Sequence, residues 1–220
     1  MRIVLATRNP AKVREISAIL APMSVTVSSL DEVDPAGAIV EPPETASSFA
    51  ANAAAKAEYY ARATGCWALA DDSGLEVDAL GGAPGVRSAR YAADEFSPGA
   101  SPPRERMDQA SNRKLLRELA DVDEDRRTAR FVCCLSLSDG HEVILEARGV
   151  LEGRIGRRPA GRNGFGYDPL FYVPPLGQTT AQLAPDEKNR ISHRGQAVRQ
   201  FAKRLAELLA DRKAPPPCAN

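Results

Sequence analysis

Short aliphatic runs and helical periodicities alternate along the first part of the chain. Residues 2–7 (R-I-V-L-A-T) are mostly aliphatic with little alternation, a pattern that predicts a buried strand. Asn9 and Pro10 follow, and they favour a helix start because Asn can cap free N–H groups and Pro suits the first helical position. Helical spacing continues through Val13, Ile16 and Leu20. The chain is therefore predicted to begin as strand, turn and helix, and residues 24–29 predict a second strand.

A long Ala-rich segment follows a loop that the Pro, Asp and Glu content predicts over residues 31–44. The segment predicts a helix that begins at Thr45 or Ser47 and ends near Gly65, a residue suited to the position after a helix. One face of this helix carries Phe49, Asn52, Ala53, Lys56 and Tyr60. An Asn and a Lys on the face that carries Phe49 are unusual for a helix that only packs.

The rest of the chain mixes strands with two more helices. Strands are predicted over residues 67–71, 75–80, 130–137, 142–147 and 149–155, with a hairpin turn at Asp139-Gly140. Helices are predicted over residues 106–120 and 194–211. This mixture predicts an α/β fold whose mixed sheet includes an antiparallel hairpin. We expect one domain over residues 1–212 and a disordered tail over residues 213–220.

Charge and hydropathy exclude some classes of function. Lys plus Arg and Asp plus Glu both total 29, so the formal net charge is zero, against the basic excess typical of proteins that coat nucleic acid. No apolar stretch approaches the roughly 18 residues that a membrane span needs. The first residues do not resemble a secretory signal. We therefore expect a cytoplasmic protein that binds neither nucleic acid nor membrane, while a local group of cations could still bind a small anion.

The turn from the first strand into the first helix is a candidate phosphate site. It comprises Thr7, Arg8, Asn9, Pro10, Ala11 and Lys12. Free N–H groups at a helix start favour phosphate, Thr7 and Asn9 can donate hydrogen bonds, and Lys12 adds a full charge. A simple capped helix with a surface lysine explains the same residues. No Walker-type or dinucleotide-binding glycine motif is present.

Asp71-Asp72-Ser73-Gly74 is predicted to end an apolar strand and is a candidate metal and catalytic segment. Adjacent carboxylates next to a buried strand are costly unless they are paired, and Mg²⁺ accepts carboxylate oxygens and bridges to phosphates. One carboxylate could bind the metal while its neighbour orients or deprotonates water. An ordinary acidic turn is the alternative. Glu41 and Glu44 are candidates to complete the metal ligands.

Gly164-Phe165-Gly166-Tyr167-Asp168-Pro169 suits recognition of a flat base by ring stacking and hydrogen bonding. A glycine-rich turn with core aromatic residues is the alternative. Lys188 and the pair His193-Arg194 lie around the start of the last predicted helix, and Arg194 could donate to a carbonyl oxygen with fixed geometry. An adjacent His and Arg are also common on solvated surfaces.

Five motifs occur together and in order. They are T-R-N-P-A-K, E-T-A-S-S-F-A-x-N-A-x-x-K-A, A-D-D-S-G-L-E-V-D-A-L-G-G-A-P-G-V-x-S-A-R-Y, G-F-G-Y-D-P-L-F and E-K-N-R-I-S-H-R-G-Q-A. In these motifs the chain resembles the inosine/xanthosine triphosphate pyrophosphatase family. The resemblance extends from about residue 2 to residue 210.

The resemblance implies a homodimer of chains with an elongated mixed sheet and two lobes, with the nucleotide cleft between them. It implies Mg²⁺-dependent cleavage between the α- and β-phosphates of ITP, dITP and XTP. By the same resemblance, Thr7–Lys12, Lys56 and Lys188 bind the triphosphate. Asp72 is the general base and a metal ligand, supported by Asp71 and Glu44. Ser73 touches the substrate, and Phe165–Asp168, His193 and Arg194 hold the base.

One departure from the family and three competing functions stay open. Arg8 stands where many members have glycine, so its side chain either adds a phosphate contact or points outward. A pyrophosphatase for modified pyrimidines or common nucleotides is the nearest alternative. A nucleotide sensor would be expected to lose a carboxylate or a lysine, yet Asp71, Asp72, Lys12 and Lys56 are present. An RNA-binding module conflicts with the zero net charge.

Overall fold

The computed structural model describes residues 2–23, 25–97, 99–100 and 102–211, the last without its side chain. The tail predicted over residues 213–220 lies outside the described residues. The described ranges contain seven strands: β1 Arg2–Leu5, β2 Thr26–Ser29, β3 Trp67–Val77, β4 Thr128–Ser138, β5 Val143–Ile155, β6 Phe171–Val173 and β7 Gln178–Thr179. The α-helices are α1 Pro10–Leu20, α2 Leu30–Val33, α3 Phe49–Thr64, α4 Arg104–Glu118, α5 Pro185–Ile191 and α6 His193–Asp211.

The strands form one mixed sheet in the order β2-β1-β3-β4-β5-β6-β7. β1 pairs in parallel with both β2 and β3, whereas β6 pairs antiparallel with β5 and β7. The prediction of an α/β fold with a mixed sheet is confirmed. Backbone contacts divide the described residues into two compact units, one within residues 2–72, 133–149 and 193–211 and one within residues 73–132 and 150–192.

The first unit packs its helices on aliphatic strand residues. Ile3 and Leu5 of β1 are fully buried beside residues of β3, β4 and β5. The apolar face of α6 joins them with Ala197, Val198, Phe201 and Leu205. A second cluster around Tyr60 of α3 packs on Val4 and Ala68. This packing fixes β1 and the first part of β3, which lead directly to the candidate polar residues.

The second unit has a core of its own. Leu115 of α4 and Leu119, which follows that helix, are fully buried there, and the rings of Phe131 and Phe171 stack with centroids 4.2 Å apart. Arg127 is also buried, and it donates to the carbonyl oxygens of Leu119, Ile155 and Gly156. Because these carbonyls lie at the end of α4 and the end of β5, Arg127 joins those two elements.

Local capping explains the helix boundaries that the sequence predicted well. Asn9 caps α1 and Pro10 occupies its first turn. Ser48 caps α3, and Gly65 ends it with a φ of 63°, a left-handed conformation that favours glycine. Since α3 begins at Phe49, the predicted start at Thr45 or Ser47 is two to four residues early.

Several element predictions were wrong. The strands predicted over residues 67–71 and 75–80 are one strand, β3, so Asp71 and Asp72 lie inside a strand and not at its end. The predictions over residues 142–147 and 149–155 likewise correspond to one continuous strand, β5, from Val143 to Ile155. The loop predicted over residues 31–44 begins with α2, which a reciprocal Ser29–Glu32 capping box starts. The elements α5, β6 and β7 were not predicted.

Candidate active site

The turn between β1 and α1 forms as a capped helix start. The Asn9 side chain accepts a hydrogen bond from the Ala11 N–H at 3.0 Å, and the Asn9 N–H donates to Thr7 Oγ1 at 3.1 Å. The residues of this turn are partly or fully exposed. The turn therefore presents a helix N-terminus at which an anion could bind. Its side chains also cap the helix, as the alternative of a simple capped helix requires.

Arg8 does not point freely outward. Its guanidinium contacts the carboxylates of Asp31 at 2.5 Å and Asp34 at 2.6 Å. Asp34 is buried and also accepts from the N–H groups of Ala38 and Ile39. Arg8 thus attaches the α2 segment to the turn, a role that neither sequence interpretation foresaw.

Asp71 lies at the centre of a buried charge cluster. Its side chain is 0% exposed, and its two oxygens contact Lys12 Nζ at 2.5 Å and Arg194 Nε at 2.8 Å. Cys133 Sγ lies 3.2 Å from the same carboxylate. Burial alone would raise the pKa of Asp71, but the charges of Arg194 and Lys12 hold it well below its usual range. Asp71 is therefore a permanent carboxylate that fixes two cations.

Arg194 is a buried member of the same cluster. It is 2% exposed, and its Nη1 contacts Glu15 Oε2 at 2.5 Å in addition to the Asp71 contact. Burial would lower the pKa of Arg194, but Asp71 and Glu15 raise it. The donor predicted for a base carbonyl is thus committed at two nitrogen atoms to carboxylates of α1 and β3.

Asp72 occupies a different environment from its neighbour. Successive side chains of a strand point to opposite faces, so Asp72 faces away from Lys12 and Arg194. Its Oδ2 accepts from Asn52 Nδ2 at 3.0 Å, and its Oδ1 lies 3.8 Å from Lys56 Nζ. Burial raises the pKa of Asp72 and outweighs the charge of Lys56. This carboxylate is the more basic of the two.

Lys56 joins Asp72 to the loop before α3. Its Nζ contacts Glu44 Oε1 at 2.6 Å and donates to the Asp71 carbonyl oxygen at 3.1 Å. Burial would lower the pKa of Lys56, but Asp72 and Glu44 raise it, so the ammonium stays charged. Glu41 is exposed, so Glu44 is the candidate that lies beside Lys56.

The G-F-G-Y-D-P segment belongs to the second unit, where Asp168 organises it. The buried Asp168 carboxylate accepts from the Phe165 N–H at 2.8 Å, Thr180 Oγ1 at 2.8 Å and Lys188 Nζ at 2.6 Å. Gly164 has a φ of +78°, and a Cβ there would lie 2.0 Å from Asp168 Oδ2. The segment therefore requires glycine at this position and a carboxylate at residue 168.

The two aromatic residues of that segment differ. Phe165 is partly exposed, and Lys188 Nζ lies 4.9 Å from the centroid of its ring. Tyr167 is buried in the core of the second unit and donates its hydroxyl to the Ser88 carbonyl oxygen at 2.9 Å. Gly166 is held through its N–H by Asp108 and through its carbonyl by Asn112. Of the two rings, Phe165 is the one placed to stack on a base.

The first turn of α6 packs very closely on β5. A Cβ on Gly149 would lie 2.0 Å from the His193 carbonyl oxygen and 2.6 Å from the Ala197 nitrogen. His193 is buried at this position, next to Arg194. Gly149 thus permits α6 to approach β5 closely, and this approach sets the positions of His193 and Arg194.

Three members of these clusters, Asn52, Glu15 and Cys133, were not predicted as site residues. Asn52 had a visible signal, since it lies on the Phe49 face of α3, but it was not assigned to the site. Glu15 and Cys133 had no such signal, because a charged residue on a surface helix and a cysteine in a strand are both common. The predicted residue Ser73 lies on β3, partly buried, within the second unit.

Comparison with known proteins gives consistent results. The family model described as the Ham1 family matches residues 3–204. The dITP/XTP pyrophosphatase of Exiguobacterium sibiricum is 48% identical over 211 residues, which cover 96% of this chain and 100% of that protein. The dITP/XTP pyrophosphatase of Thermus thermophilus is 47% identical over 219 residues, which cover 99% of this chain and 95% of that protein.

A solved structure agrees with the fold. The HAM1 protein from Coxiella burnetii superposes with a TM-score of 0.80 at 41% identity, covering 94% of this chain and 99% of that one. No helix within the described part of the chain is long and apolar enough to cross a membrane. On the family match and these identities, the chain belongs to the Ham1 family.

Proposed function

We propose that this protein hydrolyses deaminated purine nucleoside triphosphates, namely ITP, dITP and XTP, to the nucleoside monophosphate and pyrophosphate. The observation that carries the proposal is Asp72, a buried carboxylate of raised pKa held between Asn52 and Lys56. A pyrophosphatase needs a positioned base beside fixed cations, and this arrangement supplies both. The names of relatives that cover almost the whole chain support the same reaction.

In this proposal the triphosphate binds at the start of α1. The residues Thr7 to Lys12 present the free N–H groups of the helix and the Lys12 ammonium, which Asp71 holds in place. Lys56 and Lys188 add positive charge. Because each of these lysines already contacts a carboxylate, its position is set before substrate arrives, and little ordering entropy is lost on binding.

Asp72 and Glu44 would hold Mg²⁺. Both offer hard oxygen atoms, and both contact the same Lys56 ammonium. Nowhere in residues 2–23, 25–97, 99–100 and 102–211 do three or more His, Cys, Asp or Glu side chains gather for a metal, which suits an ion that also takes water and phosphate oxygens as ligands. When bound, Mg²⁺ would neutralise phosphate charge and lower the pKa of coordinated water.

Asp72 would take the proton from the attacking water. Water adds to a phosphorus atom of the α–β anhydride, the bridging bond breaks, and pyrophosphate leaves. Its raised pKa makes Asp72 a stronger base than an ordinary aspartate. Asp71, with its lowered pKa, would support the site by fixing Lys12 and Arg194.

Selectivity against adenine would come from the purine 6-position, whereas guanine, which shares the 6-carbonyl, would have to be excluded at its 2-amino group. Hypoxanthine and xanthine carry a carbonyl acceptor at the 6-position, whereas adenine carries an amino donor, so a fixed donor on the protein pairs with the first two and not with adenine. A buried mismatch of this kind supports discrimination of roughly 10⁴-fold. We propose Phe165 for stacking. The other base and sugar contacts are assigned to Ser73, Gly166, Tyr167, Asp168, His193 and Arg194, with Tyr167 acting through the loop that it anchors.

A homodimer in the cytoplasm, where the nucleotide pool is found, completes the proposal. The test is pyrophosphate release with Mg²⁺ from ITP, dITP, XTP, ATP, GTP, CTP and UTP. Strong release from the first three alone is expected. Equal release from all seven, or from the pyrimidine nucleotides alone, would contradict the proposed substrate class.

A further inference from the structure

Asn52 is a buried polar side chain that the reaction outlined above does not use. It is 2% exposed on α3. Its Nδ2 donates to Asp72 Oδ2 at 3.0 Å, and its Oδ1 accepts from the Ala46 N–H at 3.0 Å. The two ends of one amide therefore join two separate segments, the catalytic strand β3 and the loop before α3.

Lys56 repeats this pattern one helical turn later. It contacts Glu44 at 2.6 Å in the same loop and lies 3.8 Å from Asp72 Oδ1. Residues four positions apart lie on one face of a helix, so α3 presents two neighbouring bridges between the loop and the carboxylate. They reach different oxygens of Asp72, and a carboxylate held at both oxygens has a fixed plane.

We infer that Asn52 is a positioning residue: it orients the Asp72 carboxylate and anchors the loop that carries Glu44. The inference rests on the proposed function, since it concerns the same carboxylate. A neutral amide suits the task because it donates to Asp72 and accepts from Ala46 at once without adding charge. Such supporting contacts keep a reactive group close to its productive geometry.

Two substitutions separate the two halves of this role. Asn52→Asp keeps the shape and the acceptor for the Ala46 N–H but loses the amide donor to Asp72. Asn52→Ala removes both contacts. Glu58→Ala is the matched control, because Glu58 lies on the same helix and its ion pair with Arg62 is exposed.

The experiment measures kcat and KM for pyrophosphate release from dITP and hydrogen exchange of the Ala46 amide. Both Asn52 variants are expected to lose roughly 10- to 100-fold in kcat with KM within about twofold of the wild type. Exchange at Ala46 is expected to accelerate in Asn52→Ala and to stay slow in Asn52→Asp. Glu58→Ala is expected to match the wild type in both measurements.

Other outcomes overturn the inference. Wild-type kcat in Asn52→Asp would remove the orienting role, and unchanged Ala46 exchange in Asn52→Ala would remove the anchoring role. A rise in KM as large as the fall in kcat would show a general structural effect instead. A wild-type protein that releases no pyrophosphate from any nucleotide would refute the proposed function, while the exchange result would still decide the anchoring role.

Discussion

Asp71 and Asp72 are adjacent on β3, yet their surroundings differ in almost every physical respect. Asp71 contacts two cations directly and has a lowered pKa, whereas Asp72 contacts a neutral amide and a more distant ammonium and has a raised pKa. The alternation of side chains along a strand separates them onto two faces. We therefore propose a structural role for Asp71 and a chemical role for Asp72, although the sequence D-D presents them as equivalent.

The largest expected effect is on turnover in Asp72→Asn. Asparagine keeps the shape and can still contact Asn52, but it cannot accept the proton of the attacking water. We expect kcat to fall by about 10²–10⁴-fold, with the fold and nucleotide binding retained. Steady-state pyrophosphate release and calorimetric titration with dITP in Ca²⁺ measure the two quantities. Near-normal turnover would remove Asp72 from the chemical step.

The next effect is on stability in Asp71→Asn. This substitution leaves the Arg194 and Lys12 charges without their shared carboxylate, and breaking a buried ion pair costs about 3–5 kcal/mol. For a chain of this size the loss corresponds to a fall in Tm of about 6–20 °C. Thermal unfolding of both Asn variants in one buffer makes the comparison. Equal Tm values for Asp71→Asn and Asp72→Asn would contradict the claim that Asp71, and not Asp72, is the aspartate that stabilises the fold.

Gly149→Ala tests whether the contact between Arg194 and Asp71 depends on the close packing of α6 against β5. A methyl group there must push against the His193 carbonyl, which we expect to cost about 1–3 kcal/mol and to displace Arg194 from Asp71. Gly156→Ala is the control, since a Cβ at Gly156 meets its nearest neighbours at the ordinary distances of 3.5 and 3.6 Å. Urea unfolding of both variants gives the difference. Equal unfolding free energies would show that the close approach carries no cost.

The smallest effect is the dependence of stability on pH. Because folding lowers the pKa of Asp71, its contribution is present above the unfolded value of about 3.9 and is lost as pH falls through the folded pKa. Folding raises the pKa of Asp72, so its contribution is present below about pH 3.9 and is lost as pH rises through the folded pKa. Without metal at pH 7, Asp72→Asn should thus be at least as stable as the wild type. Urea titrations at several pH values check the sign, and a less stable variant at pH 7 would contradict it.

Local signals predicted the parts of the fold that local interactions determine. The cap at Asn9, the glycine after α3, the Asp139-Gly140 hairpin and the apolar face of α6 all depend on residues a few positions apart. Strand β3 could not be predicted in this way, because Asp71 to Gly74 has the composition of a turn. The cations that allow Asp71 inside a strand lie 59 residues before it, at Lys12, and 123 residues after it, at Arg194.

The same reasoning applies to the candidate site. The motifs predicted the candidate site residues, and the structure brings Lys12 to Asp71 and places Lys56 beside both Glu44 and Asp72. The sequence alone could not show which of these contacts lie on each face of β3. The contact of Glu15 with Arg194 and the burial of Tyr167 likewise depend on packing between distant segments.

The central claim is hydrolysis of the α–β anhydride, and the ³¹P spectrum of the products tests it most directly. Wild-type protein is incubated with dITP and Mg²⁺, and the phosphorus signals are followed to completion. The account predicts deoxyinosine monophosphate and pyrophosphate in equal amounts. Deoxyinosine diphosphate with orthophosphate, or intact dITP, would contradict it.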